Sequence, residues 1–108
     1  MSFQQGDIVT VDFSPTLGHE QSGFRPALVI SKELYNRNTR QIVVCPITTK
    51  TKPLPMRILL DGRTKTQGYV ICDQLRTLDI AARKPKFVER VSDDTLEQVK
   101  QIVVAVID

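Results

Sequence analysis

Apolar and polar positions alternate through GDIVTVDF (6–13), with Asp7, Val9, Val11 and Phe13 on one side and Ile8, Thr10 and Asp12 on the other. That two-residue period predicts a strand, bounded by Gly6 and by Ser14-Pro15. A loop over 14–24 follows, longer than a plain hairpin needs, and such loops tend to be functional or disordered. PALVIS (26–31) reads as a short apolar strand: Pro26 can open a strand but not sit in its middle, and it biases Arg25 toward extended backbone. QIVVCPITT (41–49), MRILL (56–60), GYVICDQLRTL (68–78) and KFVERV (86–91) predict four more strands. Pro46 marks an edge or a bulge, and Asp61-Gly62 a turn. KELYNRNTR is a polar connection with room for one helical turn, and TKTKPLP is a basic, proline-broken loop.

At Ser92 the period changes. Ser92 reads as an N-cap, Asp93 and Asp94 suit the positive end of a helix dipole, and Leu96, Val99, Ile102, Val103, Val106 and Ile107 share one helical face. Short strands closed by one amphipathic helix predict a mainly β fold, a compact and strongly bent antiparallel barrel-like sheet. No crossover helices lie between the strands, which excludes a parallel α/β fold. The 108 residues suffice for one domain, expected to span 1–108, without repeats or linkers.

Charge adds direction to this picture. Residues 1–24 sum to −3, residues 91–108 to −3, and the middle, 25–90, carries fourteen basic against five acidic residues, or +9. Positive charge concentrated in the middle elements suits a polyanion or an acidic protein segment; a solvated basic surface is the plainer alternative. No run reaches the ~18–20 apolar residues of a membrane span, and the N-terminus lacks a signal layout, so a cytoplasmic protein is expected. Cys45 and Cys72 sit in apolar segments and read as two buried thiols rather than metal ligands, the lone His19 being distant in sequence.

The candidate chemistry is sparse. There is no HExxH, phosphate-binding glycine loop, GxSxG or carboxylate cluster with metal-ligand spacing, so no metal or cofactor is expected. Arg25 stands where the loop meets the second strand, a planar charged fork suited to phosphate, or else a rim arginine paired with an acid. Thr48 and Thr49 end a strand expected to pair beside PALVIS, where a hydroxyl reaches the same cleft; threonine is also simply common in strands. Glu20 and His19 lie on a loop able to fold over that cleft, and Asp73 and Gln74 fall on opposite faces of the expected fifth strand.

Taken in order, GDIVxVDFxP, GHEQxGxRPALVxS, YN, xCPITxxxK, DQxxxLDxxAR and the C-terminal helix closely resemble the MazF/PemK family of toxins from toxin–antitoxin modules, over essentially the whole chain. The resemblance implies a homodimeric SH3-like barrel that acts as a sequence-selective, metal-independent endoribonuclease, silenced by an antitoxin whose acidic, flexible tail occupies the RNA groove. It implies Arg25 and Thr48 as catalytic, Glu20 as a loop residue with a possible catalytic role, and Gln74 as a substrate contact. His19, Gln21, Thr49, Lys50, Lys52 and Arg76 complete the expected RNA contacts. Many relatives carry Trp where this chain has Thr10 and Ile80, and this chain has no tryptophan, so base stacking need not follow theirs.

The implied reaction is attack of the substrate's own 2′-hydroxyl on the neighbouring phosphorus, which selects RNA over DNA. Arg25 would stabilise the phosphorane-like transition state and protonate the leaving 5′-oxygen, and Thr48 would add a hydrogen bond. Glu20 is one choice of base, and that role stays open. Two other readings compete: a gyrase-targeting toxin, disfavoured because the chain ends Ala-Val-Ile-Asp rather than with Trp-Gly-Ile, and a non-catalytic RNA- or protein-binding barrel.

Overall fold

A computed structural model describes residues 2–13 and 24–107 of the chain. Among these, seven strands form one antiparallel sheet: β1 (Asp7–Asp12), β2 (Phe24–Val29), β3 (Gln41–Thr48), β4 (Arg57–Leu59), β5 (Tyr69–Ile71), β6 (Arg76–Asp79) and β7 (Lys86–Arg90). Their order is β4-β5-β3-β2-β1-β7, with β6 also on β3. Helix α1 spans Glu33–Thr39, α2 Ile80–Arg83 and α3 Asp93–Ile107. The result is the mainly β, barrel-like architecture with a C-terminal helix that the sequence predicts.

Alternation along the strands builds two apolar clusters. Ile8, Leu28, Cys45, Ile47 and Val70 belong to the first, covered by Val99 and Val103 of α3. Val9, Val11, Ala27, Val29, Ile42, Val44 and Leu78 form the second, with Phe3, Phe13 and Ile80 packed against it. Adjacent residues of β1, β2 and β3 fall alternately in one cluster or the other, so these strands are buried on both faces. Both cysteines are free thiols and fully buried, as expected. Burial pushes Cys45 up to about 12 and Cys72 up to about 11, which keeps both as unreactive thiols.

Four expectations are corrected by partner choice in the sheet. The fifth strand is two: β3 pairs with β6 along Gln41–Val44 and with β5 along Ile47–Thr48, so the chain turns between them through 72–75. Asp73 and Gln74 therefore lie in a turn, closed by the Gln74 N–H on the Ile71 carbonyl at 3.3 Å, and not on opposite faces of a strand. Pro26 sits inside β2 rather than opening it, tolerated because pairing with β3 begins only at Ala27. Pro46 occupies the gap where β3 changes partner from β6 to β5, so no ladder bond is lost on that side. The helix α2 was not expected, although Asp79 caps it by accepting from the Ala81 and Ala82 N–H groups at 2.9 and 3.2 Å.

The other helices follow their local chemistry. The polar connection holds a seven-residue helix, α1, longer than one turn. Its Asn36 is buried and donates to the Phe3 and Ser31 carbonyls, and the Ser31 hydroxyl accepts from the Val43 N–H, so one polar side chain ties the N-terminal segment to the sheet. Ser92 caps α3 by accepting from the Thr95 N–H at 3.2 Å. The predicted apolar face of α3 is buried at Val99 and Val103, whereas Val106 and Ile107 in its last turn are exposed.

Candidate functional site

The antiparallel sheet brings the end of β1, the start of β2 and the end of β3 toward one end of the sheet, while the start of β6 pairs with the middle of β3. Arg25 pairs with Val11 across β1 and β2. β2 and β3 pair from Val29↔Val44 to Ala27↔Pro46, and Arg25 and Thr48 each lie two residues beyond that last pair on their own strands. Both alternate with members of the second apolar cluster, Arg25 with Ala27 and Val29, Thr48 with Val44 and Ile42, so both project from that face. The cluster thus forms the floor beneath the two predicted catalytic side chains.

Their polar partners leave both groups available. Arg25 is exposed, and among the described residues no carboxylate forms an ion pair with it. The Thr48 Oγ1 accepts from the Lys50 N–H at 3.0 Å, which fixes the hydroxyl and frees its hydrogen to donate. Gly68 stands directly behind it: a Cβ there would lie 2.6 Å from the Thr48 carbonyl oxygen, and its φ of +123° suits only glycine. Thr49 lines an adjacent groove of about 500 Å3 formed with Leu59, Gly68 and Tyr69.

The remaining predicted residues divide. Thr49, Lys50 and Lys52 are exposed on the loop that leaves β3, and Gln74 is exposed in the 72–75 turn. Arg76 opens β6, opposite Val44, and its guanidinium carbon lies 4.9 Å from the centre of the Phe13 ring. His19, Glu20 and Gln21 lie outside the described residues. Among the described residues no group of three His, Cys, Asp or Glu side chains could hold a metal ion.

Three residues with structural claims on the site were missed. Arg57, half-buried in β4, donates from Nε to the Thr51 hydroxyl at 3.3 Å and pairs through Nη1 with Asp73 at 3.0 Å, joining the 49–52 loop to the 72–75 turn. An arginine inside the otherwise apolar MRILL was its sequence signal. Gly68, immediately before a strand, marked a close backbone approach. Phe13 was read only as the last alternating residue of a strand. Lys86 pairs opposite Thr10, and Arg83 donates to the Asp12 carbonyl at 3.0 Å, adding two cations near the end of β1.

The family model of the PemK-like, MazF-like toxins of type II toxin–antitoxin systems matches residues 4–107. The chain is 40% identical over 100 residues to the endoribonuclease PemK of Escherichia coli, covering 89% of this chain and 75% of that protein. It is 36% identical over 95 residues to the endoribonuclease toxin MazF of Escherichia coli strain K12, covering 88% and 85%. Among solved structures, a MazE–MazF crystal structure from Deinococcus radiodurans superposes with a TM-score of 0.91 at 32% identity, covering 99% of this chain and 96% of that one. The matched span takes in every strand and helix described above, and the chain belongs to the PemK-like, MazF-like family of type II toxins.

Proposed function

We propose that the chain is the toxin of a type II module, an endoribonuclease that cuts single-stranded RNA at the end of the sheet that carries Arg25 and Thr48. The observation that carries this reading is the availability of the pair: a guanidinium without a carboxylate partner among the described residues, and a hydroxyl whose hydrogen is free to donate. Relatives named as endoribonucleases support the activity. In the reaction, the 2′-hydroxyl of the RNA gives its proton to a base and attacks the adjacent phosphorus as the P–O5′ bond breaks, forming a 2′,3′-cyclic phosphate and releasing a 5′-hydroxyl. Arg25 binds a non-bridging oxygen and donates its proton toward the leaving 5′-oxygen, while Thr48 donates a hydrogen bond to the same developing charge. The exposed Lys50, Lys52, Thr49, Gln74 and Arg76 hold the flanking strand, and Glu20 and His19 act on the same substrate.

The protein works in the cytoplasm as a homodimer and is held silent by an antitoxin with an acidic, flexible tail. The similar MazE–MazF structure from Deinococcus radiodurans supports the antitoxin, and the +9 charge of residues 25–90 suits both an acidic tail and RNA. No helix among the described residues is long and apolar enough to cross a membrane.

The test is incubation of the purified protein with a long unstructured RNA in EDTA, beside Arg25→Ala, with fragment ends mapped. Discrete fragments with 5′-hydroxyl ends, reduced by ~10²–10³-fold in the variant, are expected. Intact RNA from folded wild-type protein, across RNAs of varied sequence, would overturn the reading.

A further inference from the structure

The contact between Arg76 and Phe13 asks for a use. Arg76 is exposed, and among the described residues it makes no ion pair; what it meets is a ring, at 4.9 Å. Phe13 in turn packs on the second apolar cluster, the floor beneath Arg25 and Thr48. Val11, on the same face of β1 two residues before Phe13, pairs directly with Arg25. The guanidinium carbon therefore sits over a ring anchored in the core, on a side chain that is otherwise exposed. A cation meant only to attract phosphate gains nothing from this backing, because charge acts from any orientation. A plane held flat is what an unpaired base stacks on, and RNA-binding proteins use arginine planes as well as aromatic rings for it.

We propose that Arg76, backed by Phe13, is the platform on which one unpaired base of the RNA stacks beside the scissile phosphate, making the pair a determinant of which sequence is bound and cut. This rests on the ribonuclease reading and gives it a base-reading element in a chain without tryptophan. Every base has a π-face, so the platform selects by stacking strength, purine over pyrimidine, and its neighbours supply any finer choice. It also explains why Arg76 is an arginine: lysine would keep the charge but not the plane.

The experiment compares wild type, Arg76→Lys and Phe13→Leu in binding short RNAs made uncleavable by 2′-deoxy substitution at the cleavage position, with a base-free ribose placed at each flanking position in turn. Arg76→Lys alters an exposed side chain, and thermal unfolding confirms the fold of each variant. In wild type, removing the base at one position is expected to weaken binding about 10–100-fold, and at the others much less. Arg76→Lys should weaken binding to intact RNA by a similar factor and bind the RNA lacking that base as wild type does. An equal effect of Arg76→Lys on every RNA, or none, overturns the platform. Failure of folded wild type to bind any of the RNAs overturns it as well. Binding with this position-specific pattern, but no cleavage of unmodified RNA, upholds the platform and overturns the ribonuclease reading instead.

Discussion

Two arginines of the same sheet, on β2 and β4, have opposite fates. Arg25 stands at the open end of β2, exposed and without a carboxylate partner among the described residues, two residues beyond the last β2–β3 pair. Arg57 lies in β4 with its side chain only 14% exposed, its charge met by Asp73 and its Nε by Thr51. The difference separates charge left for a ligand from charge consumed in holding loops. It also gives the sharpest way to break the comparison: Arg25→Ala should cost ~10²–10³ in cleavage while leaving stability within about 0.5 kcal/mol of wild type, as surface substitutions do. Equal losses of melting temperature and activity would place Arg25 in the same structural class as Arg57.

Gly68 is the next largest test, because it bears on Thr48 through backbone rather than charge. In Gly68→Ala a methyl group would meet the Thr48 carbonyl oxygen at 2.6 Å and its carbon at 2.8 Å, at a φ that L residues rarely adopt. A loss of about 2–3 kcal/mol is expected from strain and displacement together. Thr48 must then move, so cleavage should fall further than the unfolded fraction accounts for. Activity that simply tracks the folded population would dismiss Gly68 as a support for the site.

Arg57→Ala is predicted to act in the converse sense to Arg25→Ala. It leaves Asp73 without its cation and Thr51 without its donor, and should destabilise the protein by about 1 kcal/mol, the pair being partly exposed. Arg57→Met keeps the packing of the aliphatic stem and isolates the polar contribution. Because the clip joins the Lys50–Lys52 loop to the Gln74 turn, weaker RNA binding with little change in the chemical step is expected, read as a raised KM at near-constant kcat. A fall confined to kcat would put Arg57 in the reaction itself.

Local chemistry made much of this legible in the sequence. The alternation of 6–13, the Ser92 cap and the apolar face of α3 each follow from neighbours in the chain, whereas Arg25, expected ahead of a strand at 26–31, is the second residue of β2 and pairs with Val11. What escaped depended on partners far away in sequence. The run 68–78 keeps a strand-like composition throughout, but β3 offers its two ends to different partners, and that choice breaks the run at Cys72–Leu75. Pro26 was misplaced for a similar reason: whether a strand interior tolerates proline depends on where its second neighbour starts. That Arg25 and Thr48 come to one end of the sheet needed the register, which composition does not encode. Nothing in the sequence joins Phe13 to Arg76.

The smallest predicted effect comes from Glu89, which fastens the groove wall next to Gly68. Its carboxylate accepts from the Lys65 and Thr66 N–H groups at 3.1 and 2.8 Å and from the Thr66 hydroxyl at 2.7 Å. Desolvation alone would raise its pKa, but these hydrogen bonds and the nearby Lys65 charge outweigh it and hold the carboxyl below its ordinary value of 4.5. A carboxylate depressed by folding contributes its full stability above the unfolded value and loses it as pH falls through the lower folded value. Wild type should therefore lose, below about pH 4.5, a small stability increment that Glu89→Gln lacks at every pH, so their melting temperatures should converge on acidification. Parallel curves would assign the loop's anchoring to packing instead. Since the same loop carries Gly68 against the Thr48 backbone, convergence of melting temperatures should be matched by a growing loss of RNA affinity in wild type over the same pH range. That links a half-buried carboxylate to the position of a single hydroxyl.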